Sequence, residues 1–233
     1  MKKIIVTDLT RFSKGDKVCT AGIDVDTGEC LRPMPYLNSA RCAELNIQPG
    51  AILKGDLNIH VNTTSPHIED ANYTKLEFHG PSKAKEFKDI LDNSLSGTVS
   101  LGFGIAFGVG QKYIPIEMNA NCSIITIKVN PYEIQIHEDQ YKPGKVKCSF
   151  TDQSGNQFRY LSITDRGFYD YAQRHQNDGS LNILQNFLQS QDDIYLRIGL
   201  SRAFQISDRN GYWLQVNGIY TFPKFHQEIR SYQ

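Results

Sequence analysis

The densest group of chemically able side chains is Pro66-His67-Ile68-Glu69-Asp70. An imidazole with two carboxylates could ligate a metal or activate water if a loop gathered them; ordinary turn chemistry after Pro66 is the competing reading. A second pair lies far apart in the chain, Asp8 in Val-Thr-Asp and Asp165 in Ile-Thr-Asp, each closing an apolar run. Two such carboxylates could share a divalent cation or divide acid and base roles, although Asp after a strand also serves as a turn or helix cap. Asp8, Asp165, His67 and Glu69 are thus the candidates for catalysis, and none belongs to a recognisable catalytic motif. The six histidines, at 60, 67, 79, 137, 175 and 226, show no HxxH or HExxH spacing, so no metal is assigned. Residues 96–110, SGTVSLGFGIAFGVG, are glycine-rich but lack a following GK[ST]. Their glycines alternate with apolar residues, which reads as a packed loop or irregular strand and not as a phosphate cradle. No cofactor is implied.

A different chemistry is open to the arginines and aromatics. Arg11, Lys14, Arg32 and Tyr36 lie on or beside consecutive predicted strands, and Arg197, Arg202, Arg209, Tyr212 and the sole tryptophan, Trp213, do so near the end. A guanidinium can grip phosphate with two bonds or lie flat on a base, and rings on an open sheet face stack on unpaired bases. The structural alternative puts Trp213 and the tyrosines in the core and pairs Arg11 and Arg202 with Asp8, Asp165 or backbone carbonyls between domains. Lys142, Lys145 and Lys147 could touch phosphates or simply protect a hairpin edge.

Composition limits these choices. Lys plus Arg and Asp plus Glu are 25 each in 233 residues, and each half is separately balanced. A tight, non-specific duplex binder normally carries surplus cations, so any nucleic-acid surface must be a local patch. The five cysteines are odd in number and lack a CxxC pair, as expected of reduced, buried thiols in a cytoplasmic protein. No apolar run reaches the length of a membrane-spanning helix, and charge at Asp8 interrupts the only N-terminal one.

The elements that must position these residues are mostly strands, since Tyr, Phe, Val, Ile and Thr favour pleated surfaces. Predicted strands are 3–8, 17–23, 29–32, 52–61, 73–78, 123–129, 132–137, 145–150, 158–163, 195–200 and 212–221, with Pro33 and Pro35 ending the third. Predicted helices are 39–45, a stretch to about 95 capped by Ser82, 166–175 capped by Asp165, and 181–190 capped by Ser180. Irregular alternation of strands and helices favours two small barrels, expected at 1–116 and 117–233, over one doubly wound sheet. An echo between IIVTDLTRF near the start and LRIGLSRAF near the end suggests an internal duplication.

On TDLTRF with AGID and CLRP, SPHIED, ITD before a helix, and RIGLSR with WLQVNGIYTFP, the chain resembles the dual OB-containing domain family. The resemblance covers nearly the whole chain. It implies a mainly β fold of two OB-like barrels, and prokaryotic, nucleic-acid-related roles in defence settings, without implying a reaction. The expectation is a module that holds single-stranded DNA or RNA beside a partner effector protein. Its rivals are a metal-dependent enzyme acting on nucleic acid or nucleotide through Asp8, Asp165 or the His67 cluster, and a protein-protein interaction module.

Overall fold

A computed structural model describes residues 1–12, 15–61, 63–225 and 229; Lys14 and His226 lie outside the described residues. The first sheet contains β1 (Lys2–Arg11), β2 (Lys17–Asp24), β3 (Cys30–Met34), the two-residue β4 (Leu37–Asn38), β5 (Ala51–Ile59) and β6 (Asp70–Pro81). Its order is β1-β5-β6-β3-β2, and β1 also pairs with β2, so five strands close into a barrel. β3 and β6 run parallel and their neighbours antiparallel, with α1 (Ser39–Glu44) in the connection between β3 and β5. This is the OB arrangement. Contrary to the sequence reading, β3 continues through Pro33. In a parallel ladder alternate residues bond the same neighbour; the Arg32 N–H donates to the Glu69 carbonyl, and the N–H missing at Pro33 is not required.

The second sheet repeats the topology with one interruption. Its path is β9 (Ile134–Glu138), β10 (Val146–Thr151), β11 (Gln157–Ile163), β14 (Arg209–Phe222), β12 (Asp193–Leu200) and β8 (Ile124–Val129), with β11 and β14 parallel. β8 and β9 together occupy the place that β1 fills in the first barrel. They are separated by Asn130-Pro131: the Asn130 side chain accepts from Tyr132 N, its carbonyl accepts from Glu133 N, and proline has no N–H for a ladder. This barrel therefore stays open between β8 and β9 among the described residues. Two helices, α4 (Arg166–Asn177) and α5 (Leu181–Gln189), connect β11 to β12. The duplication is one of topology, and the sequence echo misaligns it, because TDLTR lies on β1 whereas RIGLSR lies on β12 and its exit.

Between the barrels lies α2 (Ala84–Asn93). Ser82 does not cap it; its hydroxyl donates to the Gly50 carbonyl, and Glu86 reaches back to the Lys83 N–H. The glycine-rich stretch contains a helical turn, α3 (Val99–Phe103), where the sequence suggested a loop. Thr98 caps it through the Leu101 N–H, Asp152 accepts from Val99 N, and Gly104 ends it at φ 68°, a conformation glycine takes without steric penalty. Two further strands, β7 (Tyr113–Pro115) and β13 (Phe204–Ile206), flank the first half of β14 as a three-stranded arm.

Each barrel has its own apolar core. Val99, Phe103, Ile105 and Ile114 all pack in the second core, so the change of core falls before residue 99 and ahead of the expected division after 116. A third cluster joins the barrels: Ile5, Ile23 and Ile52 meet Tyr195, Tyr220 and Phe222, with Phe87, Ile90 and Leu91 of α2 between them.

Candidate nucleic-acid interface

Burial along the strands determines which faces a ligand can reach. A strand with one solvated face shows burial of period two. Seven of the eight residues of β2 are buried without alternation, as are seven of eight in β12, because both strands contribute to the apolar seam between the barrels. β9, β10 and β11 alternate instead, and their outer face opens to solvent. Gln135, His137, Ser149, Thr151, Arg159 and Tyr160 line a cleft of about 850 Å³ there, walled by Gln185 and Gln189 of α5.

The arm carries the second exposed feature. Tyr113 and Trp213 stack at 5.1 Å between centroids, and Phe204 lies 5.8 Å from Trp213 at a shallow tilt. The Arg209 guanidinium lies 5.9 Å from the centre of the Tyr113 ring. Ser201 holds Trp213 in register by two hydrogen bonds, and the next residue, Arg202, donates to the Tyr36 hydroxyl at 3.0 Å and to Asp70 at 2.8 Å. Lys112 links cleft and arm: its ammonium is 5.6 Å from the centre of the Tyr160 ring, and its carbonyl accepts from Leu214 N. Beyond the cleft, the loop between β9 and β10 exposes Tyr141, Lys142 and Lys145.

Of the other predicted binding residues, Arg32, Arg197 and Arg11 are taken up by contacts within the fold. Arg32 is 4% exposed and donates to Asp70 at 2.6 Å, the Ser123 hydroxyl at 3.2 Å and His67 Nδ1 at 3.1 Å. Arg197 is 1% exposed and donates to Asp8 at 2.9 Å and Thr126 at 2.7 Å. Neither guanidinium can touch a ligand in this arrangement, which corrects their assignment to a binding surface. Arg11 is half-buried across the junction, over the Tyr169 ring at 3.9 Å and 3.5 Å from Asp170, instead of pairing with Asp8 or Asp165.

The candidate catalytic groups are likewise occupied by the fold. Glu69 accepts from Ser123 N, Ile124 N and the Ser123 hydroxyl, fastening the loop before β6 to the start of β8. Asp165 caps α4 through Phe168 N and accepts from Ile219 N. Asp8 faces Arg197 on another element, so the two aspartates bind different partners. Burial, Arg32 and Arg202 lower the His67 pKa to about 3. Its Nδ1 is therefore a neutral acceptor for Arg32, and Nε2 faces the Ser201 carbonyl without reaching full hydrogen-bond geometry. Burial works against the Asp70 charge, but Arg32 and Arg202 prevail and hold its pKa below the ordinary carboxyl value. Among the described residues no cluster of three or more His, Cys, Asp or Glu side chains could hold a metal ion, and no helix is long and apolar enough to cross a membrane.

Sequence reasoning missed Tyr113, Lys112, Tyr160 and Phe204. Tyr113 and Phe204 sit on three-residue strands too short to show a pattern, and no spacing rule links Lys112 to Tyr160.

No curated protein sequence matches the chain. A solved structure described as a murine DNA binding protein bound with ds DNA aligns over 93% of this chain and 97% of that one, at 9% identity and a TM-score of 0.30, a likeness too weak to carry an argument. The family model described as dual OB-containing domain matches residues 2–219. With one closed OB barrel, a second of the same strand order opened at Asn130-Pro131, and a family match spanning both, the chain belongs to the dual OB-containing domain family.

Proposed function

We propose that the protein binds single-stranded nucleic acid along the open face of the second barrel and the adjoining arm. The observation that carries this reading is the continuity of half-buried rings and cations, from Tyr160 through Lys112 to Tyr113 and Trp213, ending on the exposed Arg209. OB barrels take oligonucleotides on the corresponding strands and loops, and each base stacked on a ring contributes about 1–3 kcal/mol. Tyr36 and Arg202 extend the surface toward the first barrel. The corresponding face of the first barrel, over β1, β2 and β3, is buried, so one strand of nucleic acid per chain is expected.

A fluorescent oligonucleotide titration tests this. Binding should be detectable at low salt, weaken as salt rises through release of phosphate counterions, and favour a single strand over a duplex. No binding at low salt, or affinity indifferent to salt, contradicts the reading. A second reading rests on β13, all three of whose residues are exposed and which pairs only with β14 among the described residues. A partner protein could add a strand to that edge, and capture of a peptide but not an oligonucleotide would favour this.

A further inference from the structure

The geometry points to the cleft over β9, β10 and β11 as a pocket that reads an unpaired nucleobase, with Tyr160 as its platform and the phosphates left to the lysines and arginines outside. This rests on the proposed binding of nucleic acid and adds what each part of the surface recognises.

The charge inventory comes first. The cleft lining contains one guanidinium, Arg159, against the carboxylates Glu133 and Glu138, and is otherwise dominated by amides, hydroxyls and rings. Such a floor does not attract a polyanion. Amide side chains present a donor and an acceptor side by side, the pattern displayed by base edges.

The second observation is how Tyr160 is held. Leu161 pairs with Cys148 and Phe158 with Phe150, so Arg159 and Tyr160 together oppose the single residue Ser149. This is a bulge, a device that re-aims a side chain. Tyr160 adopts φ 57°, which is costly for a residue with a large side chain and persists only where surroundings enforce it. They do so here through a hydrogen-bonded chain. Tyr160 N donates to the Ser149 hydroxyl at 3.0 Å, and that hydroxyl is 2.7 Å from His137 Nε2. His137 Nδ1 is 3.0 Å from the Glu138 carbonyl, which can only accept. The imidazole is thereby held edge-on to the Tyr160 ring, with 4.6 Å between centroids.

The third is rigidity of the wall. The Gln185 amide is already engaged with the edge of β9, donating to the Ile134 carbonyl and accepting from Ile136 N. The side-chain amides of Gln135, Gln140 and Gln189, which line the cleft and make no hydrogen bond among the described residues, thus sit against a fixed frame, as a selective pocket requires.

The test measures labelled homopolymers of the four bases, with free nucleosides as competitors, at about 50 mM and about 500 mM salt, using unaltered protein, Tyr160→Gly, Tyr160→Asn and Arg209→Ala. Both Tyr160 variants accept positive φ, and thermal unfolding verifies that they fold. The expected result is that homopolymer affinities spread by about fivefold or more, as one good base contact gives. The Tyr160 variants should lose about tenfold with an unchanged salt slope, while Arg209→Ala lowers the slope by about one. Free nucleosides should compete independently of salt. If Arg209→Ala weakens binding but the Tyr160 variants bind as the unaltered protein does, or all four homopolymers bind equally, base reading in the cleft is wrong and the broader proposal stands. If no homopolymer binds at low salt, both are wrong.

Discussion

At the scale of single residues, the side chains best suited to chemistry in the sequence hold the two barrels together. Glu69 illustrates the energetics. Its carboxylate satisfies two backbone donors and a hydroxyl at a buried junction and lies 3.8 Å from the Arg32 guanidinium. Glu69→Ala should destabilise the protein by about 3–5 kcal/mol, because the groups left behind remain buried without an acceptor; urea denaturation measures this. His67 makes a pH-dependent contribution of definite sign. Its pKa of about 3 in the folded protein lies below the ordinary value near 6.5, so the unfolded chain binds more protons between these values. Stability should therefore fall as pH drops from about 6.5 toward 3, and His67→Gln should flatten that part of a urea-midpoint profile. An identical slope in the variant would contradict the assignment. The cluster was visible in the sequence, but its role was not. Its partners, Arg32 and Ser123, stand 35 residues before His67 and 54 after Glu69, and no local pattern encodes such a meeting.

At the scale of elements, legibility followed length and capping. Helix α5 is legible from Leu181, Leu184, Phe187 and Leu188, which share a face, and α4 from Asp165, which caps it as the sequence suggests. The short elements were not evident. β7 and β13 exist because the first half of β14 extends beyond its barrel and gathers strands on both edges; a three-residue strand carries too little alternation to be recognised alone. α3 was obscured by its glycines, which permit close packing on Ile125 and a left-handed end. These short pieces form the arm, whose role is separable from stability. Replacing Ala203 to Asp208 by a short glycine linker should leave the melting temperature within about 4 °C of the unaltered protein, since β13 is exposed on all three residues. The same change should reduce oligonucleotide affinity about tenfold by removing Phe204 and loosening Trp213. Calorimetry and titration of one preparation separate the two effects.

At the scale of the whole molecule, the mainly β architecture was readable from strand-forming composition and turn spacing, while the closeness of the barrel contact was not. An apolar seam is flanked by Arg197 on Asp8, Glu69 on Ser123, and the Tyr220 hydroxyl donating to the Thr7 carbonyl at 2.6 Å. Buried charges without their partners are strongly destabilising, so neither barrel should persist once the other unfolds. One cooperative thermal transition is expected, with calorimetric and van't Hoff enthalpies in agreement; two resolved transitions would contradict a welded pair. The same contact covers the face of the first barrel over β1, β2 and β3 and leaves the corresponding face of the second as the place for a ligand. The most direct test of that consequence is amide hydrogen exchange with and without a saturating single-stranded oligonucleotide. Protection should appear on β10, β11, the 139–145 loop and the arm from 202 to 213, with β2 and β3 unchanged; protection absent from those segments, or concentrated on the first barrel, would contradict it.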